Sequence, residues 1–150
     1  MKPRIDYAAA APKAYQALLA LDAHVRACGI APSLLDLVNV RTSQLNGCSL
    51  CIYLHTAEAR QRGESEERLY LLSAWRESSL YSDRERAALE WAETLTLVSH
   101  THVPDEVYEL VRPHFSEEEL VKLTIAVGSM NAFNRLAISM RAVHPARHTA

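Results

Sequence analysis

Apolar residues recur at spacings of three and four along most of the chain, and no stretch alternates polar with apolar residues as a half-buried strand would. The pattern predicts about six to seven helices and an all-α fold. Pro12 opens a first helix through about Ala27, with Leu18, Leu21 and Val25 on one face and Gly29 ending it. Pro32 and Ser33 start a second through Leu34, Leu37, Val38 and Leu45, and Asn46-Gly47 breaks it. A third runs from about Cys48 to Arg62, where Gly63 stops it. A fourth spans roughly Glu66 to Arg76. Ser82 and Glu85 have the form of a capping box leading a fifth helix to about Val98. Pro104-Asp105-Glu106 opens a short sixth. Ser116 with Glu119 forms a second capping box and starts a last helix to about Arg141. The tail from His144 to Ala150 is expected to be loose.

The last helix bears on assembly. Leu120, Leu123, Val127 and Met130 share a face, yet Val121, Ile125, Ala126, Phe133 and Ile138 occupy other faces. A helix apolar on most sides is either the centre of the core or is shared with a second subunit. We expect a homo-oligomer. Asn131, Asn134 and Arg135 interrupt this apolar surface and are expected to hydrogen-bond between helices or between subunits.

Composition narrows the class. A chain of 150 residues with 49% hydrophobic and 23% charged residues reads as one globular domain, 1–150, with its core over about 30–141. The formal net charge of −2 and the mixing of signs give no reason to expect nucleic acid or an anionic membrane as partner. The first fifteen residues carry Asp6 and no apolar run, unlike a signal peptide, and Lys122, Asn131 and Arg135 interrupt the longest apolar segment, unlike a bilayer span. Three cysteines do not make a secreted disulfide framework, so the cytosol is the expected compartment.

The chemistry concentrates in Asn46-Gly47-Cys48-Ser49-Leu50-Cys51-Ile52-Tyr53-Leu54-His55. With Gly47 ending one helix, Cys48 falls at or near the N-cap of the next and Cys51 in its first turn. Residues three apart share a helix face, so the two sulfurs can bond. His55 lies one turn beyond Cys51 on the same face, within reach of its sulfur directly or through one water. The helix dipole and a nearby imidazole should both lower the Cys51 pKa, giving a reactive thiol with a second thiol ready to resolve it.

The stretch from Asp36 through Arg41, Gln44, Asn46-Gly47 and Cys48-x-x-Cys51 to His55 resembles the alkylhydroperoxidase-D/carboxymuconolactone decarboxylase family. Asp83 to Glu93 and Asn131 to Leu136 are also similar to its small members, so the resemblance covers roughly Ile30 to Arg141. It implies an all-α fold, trimers or hexamers, and peroxidase activity that depends on thiols and needs no cofactor. Carried over, Cys51 becomes the sulfenic acid, Cys48 is proton donor and resolving thiol, and His55 is the general base, oriented by Asp36. The family's acid is usually Glu, one methylene longer than Asp36. Its best-characterised members also place a second His where this chain has Ser49.

Other readings stay open beside this one. Cys48, Cys51 and His55 would supply three ligands to zinc, but no fourth is spaced for it. A lactone enzyme of the carboxymuconolactone decarboxylase kind would keep the fold without needing two thiols. A non-enzymatic redox-sensing oligomer would keep the thiols without turnover. Asp36 is either the acid of the relay or a solvated helix carboxylate. Glu58 reads as a surface partner of Arg62 at i+4, and Cys28, Trp75 and Trp91 as packing residues. The histidines other than His55 read as surface or capping residues, and Tyr53 as either pocket lining or packing. The expected partners are a hydroperoxide and an external dithiol or disulfide donor.

Overall fold

A computed structural model describes residues 2–144, and the expected loose tail lies outside them from 145 onward. The described residues are helical with no strand. In chain order the α-helices are α1 (Tyr7–Ala10), α2 (Pro12–Arg26), α3 (Pro32–Asn46), α4 (Ser49–Gln61), α5 (Glu66–Leu71), α6 (Asp83–Thr96), α7 (Val98–Thr101), α8 (Asp105–Val111) and α9 (Glu117–Met140). Both expected capping boxes form: Ser82 and Glu85 exchange side-chain and backbone bonds at the start of α6, and Ser116 and Glu119 do the same for α9.

Three local features depart from the sequence pattern. Asp6 accepts from the backbone of Ala8 and Ala9, both at 3.1 Å, and nucleates the short α1, which hydrophobic periodicity does not show. The expected fourth helix is α5 followed by a 3-10 segment, Leu72–Glu77, with Ala74 out of helical geometry. Its cause is tertiary: Arg86 reaches back to the carbonyls of Trp75 and Ser78, both at 2.9 Å, and of Arg76 at 3.0 Å, so those groups are satisfied outside an α-helix. The expected fifth helix ends at Thr96, where Leu97 leaves the helix before α7. Thr96 donates to the Ala92 carbonyl at 2.6 Å, a back-bond that favours such a bend.

Helix α3 is the hub, packed against α4, α6 and α9. Its Leu34, Leu35 and Val38 join Ala88, Trp91, Leu123 and Val127 in the main core cluster. Leu37 and Val40, on its other side, pack with Ala59, Leu72, Trp75 and Leu89. An ion cluster around the buried Glu93 fixes the α3–α6 pairing. Glu93 accepts from Arg41 Nε at 2.6 Å, Trp75 Nε1 at 2.8 Å and Arg76 Nη1 at 2.5 Å. Burial alone would raise the Glu93 pKa, but these donors together hold it below the usual carboxylate range.

The polar interruptions of α9 find their partners within the chain. Asn46 Nδ2 donates to Asn131 Oδ1 at 3.0 Å and to Asn134 Oδ1 at 2.8 Å, while Asn134 Nδ2 donates to Ser43 Oγ at 3.1 Å. Arg135 Nη1 adds a bond to Asn131 Oδ1 at 2.8 Å. The residue just before the Gly47 break is thereby tied to the middle of α9. Val121, Ile125 and Ile138 of the same helix remain exposed at 60%, 41% and 44%, so α9 is central along one side and open along the other.

Asn134 has no exposed surface, so Asn134→Ala removes one of the two acceptors of the Asn46 amide and the donor to the Ser43 hydroxyl. The expected loss is about 2–3 kcal/mol, the scale of leaving buried polar groups unpaired. Urea unfolding should show a lower midpoint with an unchanged slope; an unchanged midpoint would contradict this account of the network.

Candidate active site

The turn into α4 places the thiols. Gly47 sits in the left-handed region (φ 69°, ψ 30°), and its amide donates to the carbonyl of Gln44, closing α3. The chain turns at once into α4, with Cys48 as the N-cap and Cys51 in the first turn. Their Cα atoms are 5.4 Å apart and the sulfurs are joined as a disulfide. The Cys48 sulfur also accepts from the Cys51 amide at 3.4 Å. The capping bond at the helix start therefore goes to the Cys48 sulfur. Cys48 is 2% exposed and Cys51 5%.

The two sulfur-bearing residues line different cavities. Cys51 lines a cavity of about 170 Å³ together with His55, Glu58, Tyr15, Met130 and Phe133. Cys48 lines a second one of about 350 Å³ together with Arg4, Gly47, Ala137 and Arg141. Leu50 and Ala137 belong to both walls.

The structure brings together Cys48, Cys51 and His55, but gives His55 a different carboxylate from the one expected. His55 Nδ1 is 3.3 Å from Glu58 Oε2, one turn along α4. Glu58 is held in turn by Arg26 Nη1 at 3.2 Å, and Arg26 Nε bonds Asp22 at 2.7 Å. With Nδ1–H donating to Glu58, Nε2 is the free base. Asp36 is bonded instead to Arg62 Nη1 at 2.5 Å, while its second oxygen has no partner among the described residues. The expected pairing of Glu58 with Arg62 is thus exchanged: Arg62 crosses to α3 and takes Asp36, leaving Glu58 to His55 and Arg26. Glu58 was visible in the sequence as an i+3 neighbour of His55, whereas the Arg26 contact depends on how α2 packs and has no sequence signal.

Burial shifts the two groups in opposite directions along the pH scale. It lowers the His55 pKa below its ordinary 6.5, opposed chiefly by the charge of Glu58. It raises the Asp36 carboxyl above its ordinary range, opposed by Arg62. Burial would also raise Glu58, but Arg26 and His55 outweigh it and hold that carboxyl below its usual value. Tyr53 stacks on His144 with ring centroids 5.1 Å apart. Among the described residues no three His, Cys, Asp or Glu side chains are grouped to hold a metal ion, and no helix is long and apolar enough to cross a membrane.

An all-α chain with a bonded Cys-x-x-Cys at a helix start and a buried imidazole one turn on falls in the class of helical cysteine-pair proteins. The chain belongs to the carboxymuconolactone decarboxylase family, whose model matches residues 12–94. It is 39% identical over 140 residues to the uncharacterized protein YdfG of Bacillus subtilis, covering 93% of this chain and 95% of that one. A solved structure from Agrobacterium tumefaciens superposes with a TM-score of 0.95 at 42% identity, covering 97% of this chain and all of that one. That protein is of unknown function, with an antioxidant-defence role of the AhpD kind suggested for it. An uncharacterized peroxidase-related protein of Ralstonia eutropha with an AhpD core shares the fold at a TM-score of 0.78 and 22% identity, over 93% of this chain and 74% of its own.

The pH behaviour of His55 can be checked directly. Because its folded pKa is depressed, the unfolded chain takes up the proton first as pH falls. The stability tied to neutral His55 is therefore complete above 6.5 and lost as pH drops below it. Glu58→Gln removes the main influence that raises the His55 pKa, so the ring should titrate at still lower pH. An NMR titration of the His55 ring in both proteins reads this; an unchanged or raised pKa in the variant would contradict the pairing.

Proposed function

We propose that the protein is a thiol-dependent peroxidase, or more broadly a disulfide oxidoreductase, that cycles Cys48 and Cys51 between dithiol and disulfide. The observation that carries this reading is that Cys51 and His55 open onto one cavity while Cys48 stands bonded behind Cys51. In the dithiol state His55 Nε2 takes the Cys51 proton, with Glu58 fixing the ring. The thiolate attacks one oxygen of a hydroperoxide; the O–O bond breaks, the alcohol leaves with the proton from His55, and Cys51 becomes a sulfenic acid. Cys48 then attacks the Cys51 sulfur, water departs, and the disulfide forms. Two electrons from an external thiol donor restore the pair.

The N-cap position suits Cys48 to the resolving step. The Cys51 amide donates to its sulfur at the helix start, which holds that sulfur against the Cys51 sulfur it has to reach. Asp36 serves in this scheme to hold α3 on α4 through Arg62, and Glu58 is the carboxylate that orients His55. The family membership and the AhpD-type suggestion for the Agrobacterium protein support the reading. We place the protein in the cytosol and read the exposed side of α9 around Val121 and Ile125, away from the Cys48 cavity, as the contact of a trimer or hexamer.

A peroxide-consumption assay with a small dithiol tests the chemistry. Cys51→Ser should abolish turnover. His55→Ala should slow it about 10²-fold, the usual contribution of a general base, with the helical circular dichroism unchanged. Wild-type turnover in either variant would overturn the mechanism. For the assembly, light scattering should return three or six times the 16.8 kDa chain mass; a monomer at micromolar concentration would contradict it.

A further inference from the structure

The disulfide has two differently charged sides. The cavity on the Cys51 side carries Asp22, Arg26 and Glu58, which form ion pairs with one another or with His55. The cavity on the Cys48 side is lined by Arg4 and Arg141 and by no acidic side chain among the described residues. Arg4 is anchored across the end of α9: its amide donates to the Met140 carbonyl at 2.9 Å and its guanidinium to the Ser139 carbonyl at 3.0 Å. Arg141 follows directly as the C-cap of α9 in the left-handed region (φ 53°, ψ 49°), a conformation that costs a non-glycine residue energy. Neither guanidinium forms an ion pair with a described residue. Two cations with no counter-charge among the described residues thus border a cavity whose wall includes one half of a disulfide.

From this geometry we infer that the Cys48 side is a separate port for the reductant, and that it takes a small thiol bearing a carboxylate. The inference rests on the dithiol–disulfide cycle proposed above. Thiol–disulfide exchange needs the incoming sulfur in line with the bond it breaks, so a thiolate in this cavity attacks Cys48 and expels Cys51. The first step forms a bond between the donor sulfur and Cys48 Sγ and releases Cys51 as the thiolate. A second donor thiolate then attacks the donor sulfur of that mixed disulfide. The donor leaves as its own disulfide and Cys48 departs as the thiolate, with two donor electrons transferred in all. The first thiolate released is Cys51, beside His55 on the peroxide side. A cavity of about 350 Å³ suits a small molecule, and a guanidinium pairs with carboxylate in a forked geometry that a neutral or cationic thiol lacks.

The test needs no peroxide, so it is read independently of the peroxidase mechanism. The oxidised protein is reduced under pseudo-first-order conditions by 3-mercaptopropionate, 2-mercaptoethanol or cysteamine. Each rate is corrected for thiolate fraction and divided by the rate of the same thiol with a neutral model disulfide. The anionic thiol should lead the neutral one by about tenfold and the cationic one by more. The advantage should collapse near 1 M salt, where screening acts within about 3 Å. Arg141→Gly removes one charge while relieving the left-handed backbone, so it should fold at least as stably and lose most of the preference. Arg141→Glu offsets the charge of Arg4, so it should leave no preference among the three thiols. Acid-quenched samples digested at low pH should carry the donor on Cys48. A rate order indifferent to charge, or the adduct on Cys51, would overturn the inference. Either result would leave hydroperoxide reduction at Cys51 standing.

Discussion

The reversal at Asn46-Gly47 governs the rest of the molecule's chemistry. Gly47 takes a left-handed conformation that lets α3 end and α4 begin within two residues. That abrupt change leaves Cys48 as an N-cap rather than a residue inside a helix. Asn46 holds the reversal in place from the other side, with its amide divided between Asn131 and Asn134 of α9. The same bonds satisfy polar groups that would otherwise weaken an apolar helix. The position of the sulfurs, the direction of α4 and the packing of α9 thus depend on one tie, and His55 follows because it rides on α4.

Much of this was legible in the sequence because the signals were local. Capping boxes, the prolines that open α2 and α3, and the Asn-Gly break act within one turn of chain, and each fell where the residues put it. The Cys-x-x-Cys with His four residues on is local in the same sense, since helix geometry alone sets its three side chains on one face. The polar trio of α9 was legible as a need for partners, and the structure supplies them within the chain.

What the sequence withheld was the choice among equivalent partners across helices. Two acids and two arginines, Asp36, Glu58, Arg26 and Arg62, admit more than one pairing, and only the distances between α2, α3 and α4 select among them. The selection places Glu58 on His55 and leaves Asp36 buried on Arg62. Helix α5 shows the same limit in backbone form: Arg86 diverts the carbonyls around Trp75, and the helix gives way to a 3-10 segment. The division of the disulfide between two cavities is likewise tertiary, because Arg4 joins Arg141 in the wall of the Cys48 cavity only when the N-terminal segment crosses the end of α9.

The central claim is that Cys51 is the sulfur that meets the oxidant, on the side where His55 and Glu58 stand. Trapping the oxidised sulfur tests it most directly. In a Cys48→Ser protein the resolving thiol is absent, so a sulfenic acid at Cys51 persists long enough to be captured by dimedone and mapped by mass spectrometry. The account predicts stoichiometric label on Cys51 after one equivalent of hydroperoxide. In the matching Cys51→Ser protein, Cys48 should remain unlabelled. Label on Cys48, or no label in either protein, would contradict it.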